Sequence, residues 1–255
     1  MEIQGLNIVV TGAASGIGRA LARRFARGGA RQVSVVDLDG DAVRRVAVEI
    51  GGTAMRADVG RHEDITVVVE EIEAEHGPID LFCSNAGILV IGGEEVADAE
   101  WQRIFDVNVM AHVHAARAMV PRMLERGGGY LLNTASAAGL LTQIGSAPYA
   151  VTKHAAVAFS EWLSITYGDR GLKVSVLCPQ AVQTAMLGGD ESGGVAGVDG
   201  VLSAEQVAEC ALEGLGREEF LILPHPEVGE YMRRKANDPE RWLKGMRRLQ
   251  SRMLG

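Results

Sequence analysis

Little of this chain is aromatic, cysteine or proline: Phe, Trp and Tyr together make up 5% of its 255 residues, beside three Cys and seven Pro. Cys83, Cys178 and Cys210 are odd in number and lack metal-ligand spacing, which argues against a disulfide framework and against a metal site. Cys83 and Cys178 lie in apolar runs and are expected as buried free thiols. No uninterrupted apolar stretch is long enough to cross a bilayer. The start, Met1-Glu2-Ile3-Gln4, has neither a basic region nor an apolar signal core, so a cytoplasmic protein with no membrane partner is expected. The formal charge of −8 argues against nucleic acid as the main partner.

What is present is an ordinary globular composition, 47% hydrophobic and 23% charged, at a length that suits one α/β domain spanning 1–255. Short apolar runs at 7–10, 32–37, 52–56, 80–84, 130–134, 173–178 and 220–223 read as strands buried on both faces. Helical patterns separate them at 16–28, 41–50, 63–76, 101–126, 149–167 and 204–215. This alternation predicts a doubly wound, mainly parallel sheet with helices on both faces. Residues 188–200 hold six glycines in thirteen positions and read as a mobile loop. From His225 to Gly255, eight Lys/Arg stand against four Asp/Glu, so the remainder of the chain carries −12. This basic, helical tail either docks on its own or a neighbouring subunit or is simply a solvated face.

Tyr149 and Lys153 lie one helical turn apart, with Ser136 thirteen residues upstream. A free phenol has a pKa of about 10, and a nearby cation favours its ionised form. The pair would therefore serve as a general acid/base toward an alcohol oxygen. Near the N-terminus, the run Leu6–Val10 leads into Thr11-Gly12-Ala13-Ala14-Ser15-Gly16-Ile17-Gly18, followed by Leu21 and Phe25 at helical spacing. Strand, glycine turn and helix form the setting of a dinucleotide fingerprint, where backbone amides receive a pyrophosphate. The loop, Asp37, Asp58, Asn85 and Ser136 all follow candidate strands and so share one edge of the sheet.

Gly12, Gly16 and Gly18, taken with Ser136, Tyr149 and Lys153, resemble the short-chain dehydrogenase/reductase family. The resemblance runs from about Leu6 to Leu223 and includes Asn85-Ala86-Gly87, Asn108, and Pro179 followed by Val182 and Thr184. It implies a Rossmann-like sheet of seven strands, an NAD(P)-dependent oxidoreductase acting on a secondary alcohol or ketone, and a homodimer or homotetramer. It also implies a catalytic group of Asn108, Ser136, Tyr149 and Lys153. In that group Tyr149 moves the proton and Ser136 orients the reacting oxygen. Lys153 lowers the phenol pKa and binds ribose, and Asn108 holds a relay water. The cofactor would touch Gly12, Ser15, Gly16, Ile17, Gly18, Asp58, Val59, Asn85, Ala86, Gly87, Tyr149, Lys153, Pro179, Val182 and Thr184. The glycine-rich loop 188–200 corresponds to the segment that covers substrate in the family.

Asp37 ends the second strand, where a carboxylate accepts from the adenosine ribose and repels a 2′-phosphate. The positions at which phosphate-preferring members usually carry a basic residue hold Ser15 and Leu38, so NAD is the expected cofactor. The competing reading of Asp37 is a turn residue ahead of Asp39-Gly40. The chain departs from the family at Pro179-Gln180, where glycine usually follows the proline. Gln180 either selects a polar substrate group or points away.

Ser136, Ala138, Gln143, Gln180 and Met186, with Ile88, Leu141 and Leu187, are expected to line a mostly apolar pocket for a steroid, terpenoid or acyl substrate. His225 and Tyr231 follow the last strand and either reach a pocket or pack the tail. Alanine-rich faces near Asn108 and Tyr149 suit packing between subunits, although alanine is also the best helix former. The rival functions are an NADPH-dependent ketone reductase of the same family and a dinucleotide-sensing binding protein without turnover.

Overall fold

The computed structural model describes residues 1–187 and 193–254. Its elements in chain order are β1 (Asn7–Thr11), α1 (Gly16–Arg27), β2 (Gln32–Asp37), α2 (Gly40–Ile50), β3 (Thr53–Arg56), α3 (His62–His76), β4 (Leu81–Ser84) and α4 (Asp98–Phe105). There follow α5 (Ala111–Glu125), β5 (Gly129–Thr134), α6 (Ala138–Leu141), α7 (Ala147–Tyr167), β6 (Leu172–Leu177), β7 (Val182–Gln183) and β8 (Leu202–Ser203). The chain continues with α8 (Ala204–Gly216), β9 (Leu221–Ile222), α9 (Glu227–Asn237) and α10 (Pro239–Leu254).

Alternation along the strands explains the layers. In β1, Ile8 and Val10 enter the core shared with α1, α2 and α8, while Val9 enters the opposite core against α3 and α5. Val35 and Val36, Cys83 and Phe82, and Leu132 and Leu131 divide in the same way. Both faces must be apolar, so the strands read as continuous hydrophobic runs. Each such side chain contributes about 1.5–3 kcal/mol by leaving water.

The seven-stranded sheet has the order β3-β2-β1-β4-β5-β6-β9, and every pairing is parallel. The order reverses between β1 and β4, where sheets of this kind open a crevice beyond the strand ends. The expected seven strands are all present, the last shortened to Leu221–Ile222.

Three local features depart from the sequence reading. The helix expected over 101–126 is broken by a π-helical turn, Asp106–Met110, between α4 and α5. A short helix, α6, follows Ser136, and β7 pairs with β8 in a separate two-stranded sheet. Such elements are too short to show a periodicity of their own.

Candidate active site

The glycine loop leaves the C-terminal end of β1 and turns into α1. Gly12 has φ +64, and a Cβ there would stand 2.7 Å from Ala86 Cα. At Gly18 a Cβ would fall 2.2 Å from the Gly12 carbonyl oxygen and 2.6 Å from Asn85 Nδ2. Gly16, at φ +53, would bring one to 3.0 Å from Thr184 Cγ2. The loop thus presses on Asn85-Ala86 on one side and on Thr184 on the other. The first turn of α1 holds no acidic residue, and the Ser15 side chain makes no cap hydrogen bond. Its N–H groups remain suited to an anion such as a pyrophosphate, and the residues present fit a dinucleotide.

Asn85 ties three strand ends together. Its Nδ2 donates to the Thr11 carbonyl at 3.1 Å, its Oδ1 accepts from Thr134 Oγ1 at 3.0 Å, and its N–H donates to Thr11 Oγ1 at 3.0 Å. Asp37 accepts from the Ala14 N–H at 3.0 Å and the Asp39 N–H at 3.1 Å. The cap of α2 is Asp39, while Asp37 both closes the turn to Asp39 and braces the glycine loop. Asp58 Oδ1 closes a turn by accepting from Gly60 N–H, and the Val59 carbonyl accepts from buried His114. Register places Arg56 opposite Asp37, and Arg56 Nε donates to the Leu38 carbonyl at 3.2 Å. A basic group missing from the nearby sequence is therefore supplied by the neighbouring strand.

Ser136, Tyr149 and Lys153 converge at the ends of β5 and α7. Ser146 caps α7: its Oγ accepts from Tyr149 N–H and donates to the Val90 carbonyl, fixing the first turn. Lys153 is 2% exposed, and its Nζ donates to the Thr134 carbonyl at 3.0 Å. A Cβ on Gly87 would lie 3.3 Å from that Nζ and 3.4 Å from Asn108 Oδ1, so these groups share one corner. Ser136 Oγ donates to the Pro179 carbonyl at 3.3 Å and accepts from Ala138 N–H at 3.1 Å.

Burial pushes the Tyr149 phenol above its ordinary range, and its hydrogen bond with Ser136 pulls the other way. Burial also holds the Lys153 ammonium down, to about 8. Burial thus works against the lowering of the phenol pKa that is expected from Lys153, whose Nζ stands 5.7 Å from the Tyr149 ring centroid. Beneath Lys153, buried His112 Nδ1 meets Ser84 Oγ at 2.8 Å, and burial together with the Lys153 charge lowers its pKa to about 3.

Asn108 sits in the π-helical turn and is fully buried. Its Oδ1 accepts from Ile88 N–H at 2.8 Å, and its Nδ2 donates to the Ile88 carbonyl and to Thr152 Oγ1. Both Nδ2 hydrogens are spent on the Ile88 carbonyl and Thr152, while Oδ1 accepts a single bond and keeps a second lone pair. π-turns recur at functional sites because they re-aim a helix locally.

Next to Ser136 opens a cavity of about 890 Å³. Ala138, Leu141, Gln143 and Gln180 line it as expected, whereas Ile88, Met186 and Leu187 do not. Met186 is 41% exposed on a single 3₁₀ turn, Ala185–Leu187. Of the glycine-rich loop, 188–192 lie outside the described residues, while Val195, Ala196 and Val198 line the cavity.

Of the two readings of the tail, docking on its own chain is the one the structure shows, and Trp242, Met246 and Leu249 are lining residues the sequence reading did not name. Tyr231, Trp242, Met246 and Leu249 form the far wall, and Val228 packs with Ala137 and Leu141. Lys235 Nζ donates to the Leu140 carbonyl at 2.7 Å, so the tail docks on its own chain just beyond Ser136. Helical spacing within 239–254 was the signal available for α10; its target was not legible. His225 Nδ1 accepts from Gln180 N–H at 3.2 Å, which joins the departure from the family to the last strand. Tyr231 OH donates to Asp199 Oδ1 at 2.8 Å.

A doubly wound parallel sheet with a glycine cradle at its switch point, and a hydroxyl, phenol and amine beside it, defines a nicotinamide-dependent oxidoreductase. Comparisons with known proteins agree. The family model described as short chain dehydrogenase matches residues 6–193, and the chain belongs to that family. It is 40% identical over 247 residues to a 1-deoxy-11-beta-hydroxypentalenate dehydrogenase of Streptomyces exfoliatus, covering 93% of this chain and 90% of that one. It is 31% identical over 221 residues to a mitochondrial borneol dehydrogenase of Lavandula x intermedia, with 83% of each covered. A short-chain dehydrogenase/reductase of Burkholderia phymatum, solved in complex with NAD, superposes with a TM-score of 0.86 at 29% identity, over 94% of this chain and 96% of that one.

Proposed function

We propose that the chain catalyses reversible, NAD-dependent hydride transfer to and from a secondary alcohol on a hydrophobic polycyclic substrate of terpenoid or steroid type. The observation that carries this reading is the meeting of Ser136, Tyr149 and Lys153 beside an apolar cavity, at the sheet edge that bears the glycine cradle. A cavity of about 890 Å³ suits a ligand of several fused rings. The hydroxylated compounds named for the Streptomyces and Lavandula relatives support the same class.

When bound, the nicotinamide supplies the hydride acceptor or donor and, when oxidised, a fixed positive charge. Tyr149 takes the hydroxyl proton in oxidation and returns it in reduction. Ser136 donates to the reacting oxygen in place of the Pro179 carbonyl and fixes its direction. Lys153 binds the ribose from its buried corner. Asn108 holds the 85–88 segment against that corner, and its Oδ1 keeps a lone pair for a water that would connect Lys153 to solvent. Residues 193–200 close the substrate side as a lid.

Asp37 favours NAD, because its carboxylate faces the loop at the ribose end and opposes a 2′-phosphate. A second reading, NADPH dependence, draws on one observation: Arg56 stands beside Leu38, where a phosphate would be neutralised. The protein is further read as a homodimer or homotetramer. Val151, Trp162 and Ile165 form an exposed apolar stripe along α7, whereas Ala111, Ala115, Ala150 and Ala156 turn inward. Light scattering at micromolar concentration checks this, and a monomer would remove it.

The direct test is a screen of cyclic secondary alcohols followed at the reduced-nicotinamide absorbance, with Tyr149→Phe as control. Turnover lost in the Phe variant with NAD binding retained is the expected result. A Phe variant at near-full rate would refute the role of Tyr149, and no turnover of any alcohol or ketone would favour a binding protein.

A further inference from the structure

The cavity has two unlike ends. Toward Ser136 it is walled by small and apolar side chains with the uncharged polar groups of Thr142, Gln143 and Gln180, whereas Arg234, Arg241 and Arg248 reach the lining from the tail. Arg234 is already committed, paired with Glu230 at 3.0 Å and lying over the Tyr231 ring. Arg241 and Arg248 are not: among the described residues neither guanidinium has an ion-pair or hydrogen-bond partner. They are seven residues apart on α10, which puts both on the face that also carries Trp242, Gly245 and Leu249 to the cavity. The one carboxylate among the described lining residues is Asp238. Its Oδ1 already accepts the Arg241 N–H at 3.0 Å, capping α10.

We infer that the substrate is an amphipathic anion: an apolar polycyclic body, the reacting hydroxyl at the Ser136 end, and an acidic group held between Arg241 and Arg248. Two planar guanidinium forks at the rim of an apolar cavity match a carboxylate or similar oxyanion, and the gain is larger where one side is dry. The arrangement also fixes which end of the ligand enters first, since among the described lining residues the cations are Arg234, Arg241 and Arg248, all on the tail, and burying an anion without a cation is costly. The uneven charge of the chain acquires a use: a basic tail on an acidic body places the positive potential at this mouth. The inference rests on the reading of this cavity as the alcohol site.

Two fluorescent probes test it without turnover. 8-Anilinonaphthalene-1-sulfonate and N-phenyl-1-naphthylamine share one apolar body and differ in the sulfonate. The expected result is that the sulfonate binds the wild-type protein at least about tenfold more tightly, equivalent to about 1.4 kcal/mol. That preference shrinks with added salt and disappears in Arg241→Gln/Arg248→Gln, while the neutral probe keeps its affinity. Arg247→Gln, an exposed neighbour, leaves both unchanged, and Ala196→Trp, which fills the cavity, removes both signals. Equal affinities in the wild type, a preference that survives the double substitution, signals that survive Ala196→Trp, or failure of either probe to bind would each overturn the inference. Neither probe needs the cofactor, so absence of dehydrogenase activity would leave this result standing, and failure here would leave hydride transfer intact.

Discussion

Lys153 Nζ lies 5.7 Å from the centroid of the Tyr149 ring and gives its hydrogen bond to the Thr134 carbonyl, 3.0 Å away. The two groups are adjacent, yet each is governed by its own burial. The phenol is pushed up and the ammonium down to about 8, so their proton affinities diverge in the coenzyme-free chain. In the coenzyme-free protein, the Tyr149 phenol will titrate above the ordinary tyrosine range, and Lys153→Met, which leaves the burial in place, will keep it there. Ultraviolet difference titration of wild type against Tyr149→Phe reads this directly. A phenolate near neutral pH without coenzyme would show that Lys153 acts alone.

Asp37 and Arg56 face each other across the β2–β3 register, and the proposed NAD preference rests on Asp37 outweighing Arg56. Asp37→Ser should lower kcat/KM with NAD by about tenfold or more, the loss of a charge-assisted hydrogen bond, and raise the relative use of NADP. Adding Arg56→Ala should cancel the gain with NADP. Steady-state kinetics with both cofactors check it, and a wild type that already prefers NADP would contradict the role of Asp37.

Gly18 is a packing requirement rather than a flexible joint. Alanine there would drive its Cβ into the Gly12 carbonyl and Asn85, forcing apart α1, β1 and the segment after β4. Gly18→Ala should cost about 1–3 kcal/mol of stability. NAD affinity should fall with it, as measured by calorimetry. A variant of wild-type stability and affinity would mean that the loop yields freely.

His112 makes the fold sensitive to acid. Its pKa falls from the ordinary 6.5 to about 3, so between those values the unfolded chain binds a proton that the folded chain refuses. Stability therefore drops as pH is lowered from about 6.5, by up to about 1.4 kcal/mol per pH unit from this group alone. His112→Asn, which can still meet Ser84, should flatten the slope of unfolding free energy between pH 5 and 6.5, where few carboxylates titrate. Parallel slopes in the two proteins would exclude His112 as the cause.

Much of the site was legible before any coordinates, because it depends on chain-local chemistry. Gly12–Gly18 needs glycine wherever backbone meets backbone, and Tyr149 and Lys153 need one turn of helix between them. Seven strands followed from apolar runs, since a sheet covered on both faces admits little else. Met186 lies outside the cavity lining, on a single 3₁₀ turn of a kind that no period in the sequence marks.

The sequence by itself determined which groups can donate, accept and ionise, and that one sheet edge would collect them. Only the tertiary structure decided what those groups feel and what stands opposite them. Burial set the Tyr149 and Lys153 pKa values in opposite directions. Strand pairing brought Arg56 to Asp37, and the fold-back of α9 and α10 laid Trp242, Arg241 and Arg248 over the cavity beside Ser136. The reason is physical: desolvation and long-range packing depend on every neighbour in space, and a chain read residue by residue lists only neighbours in sequence.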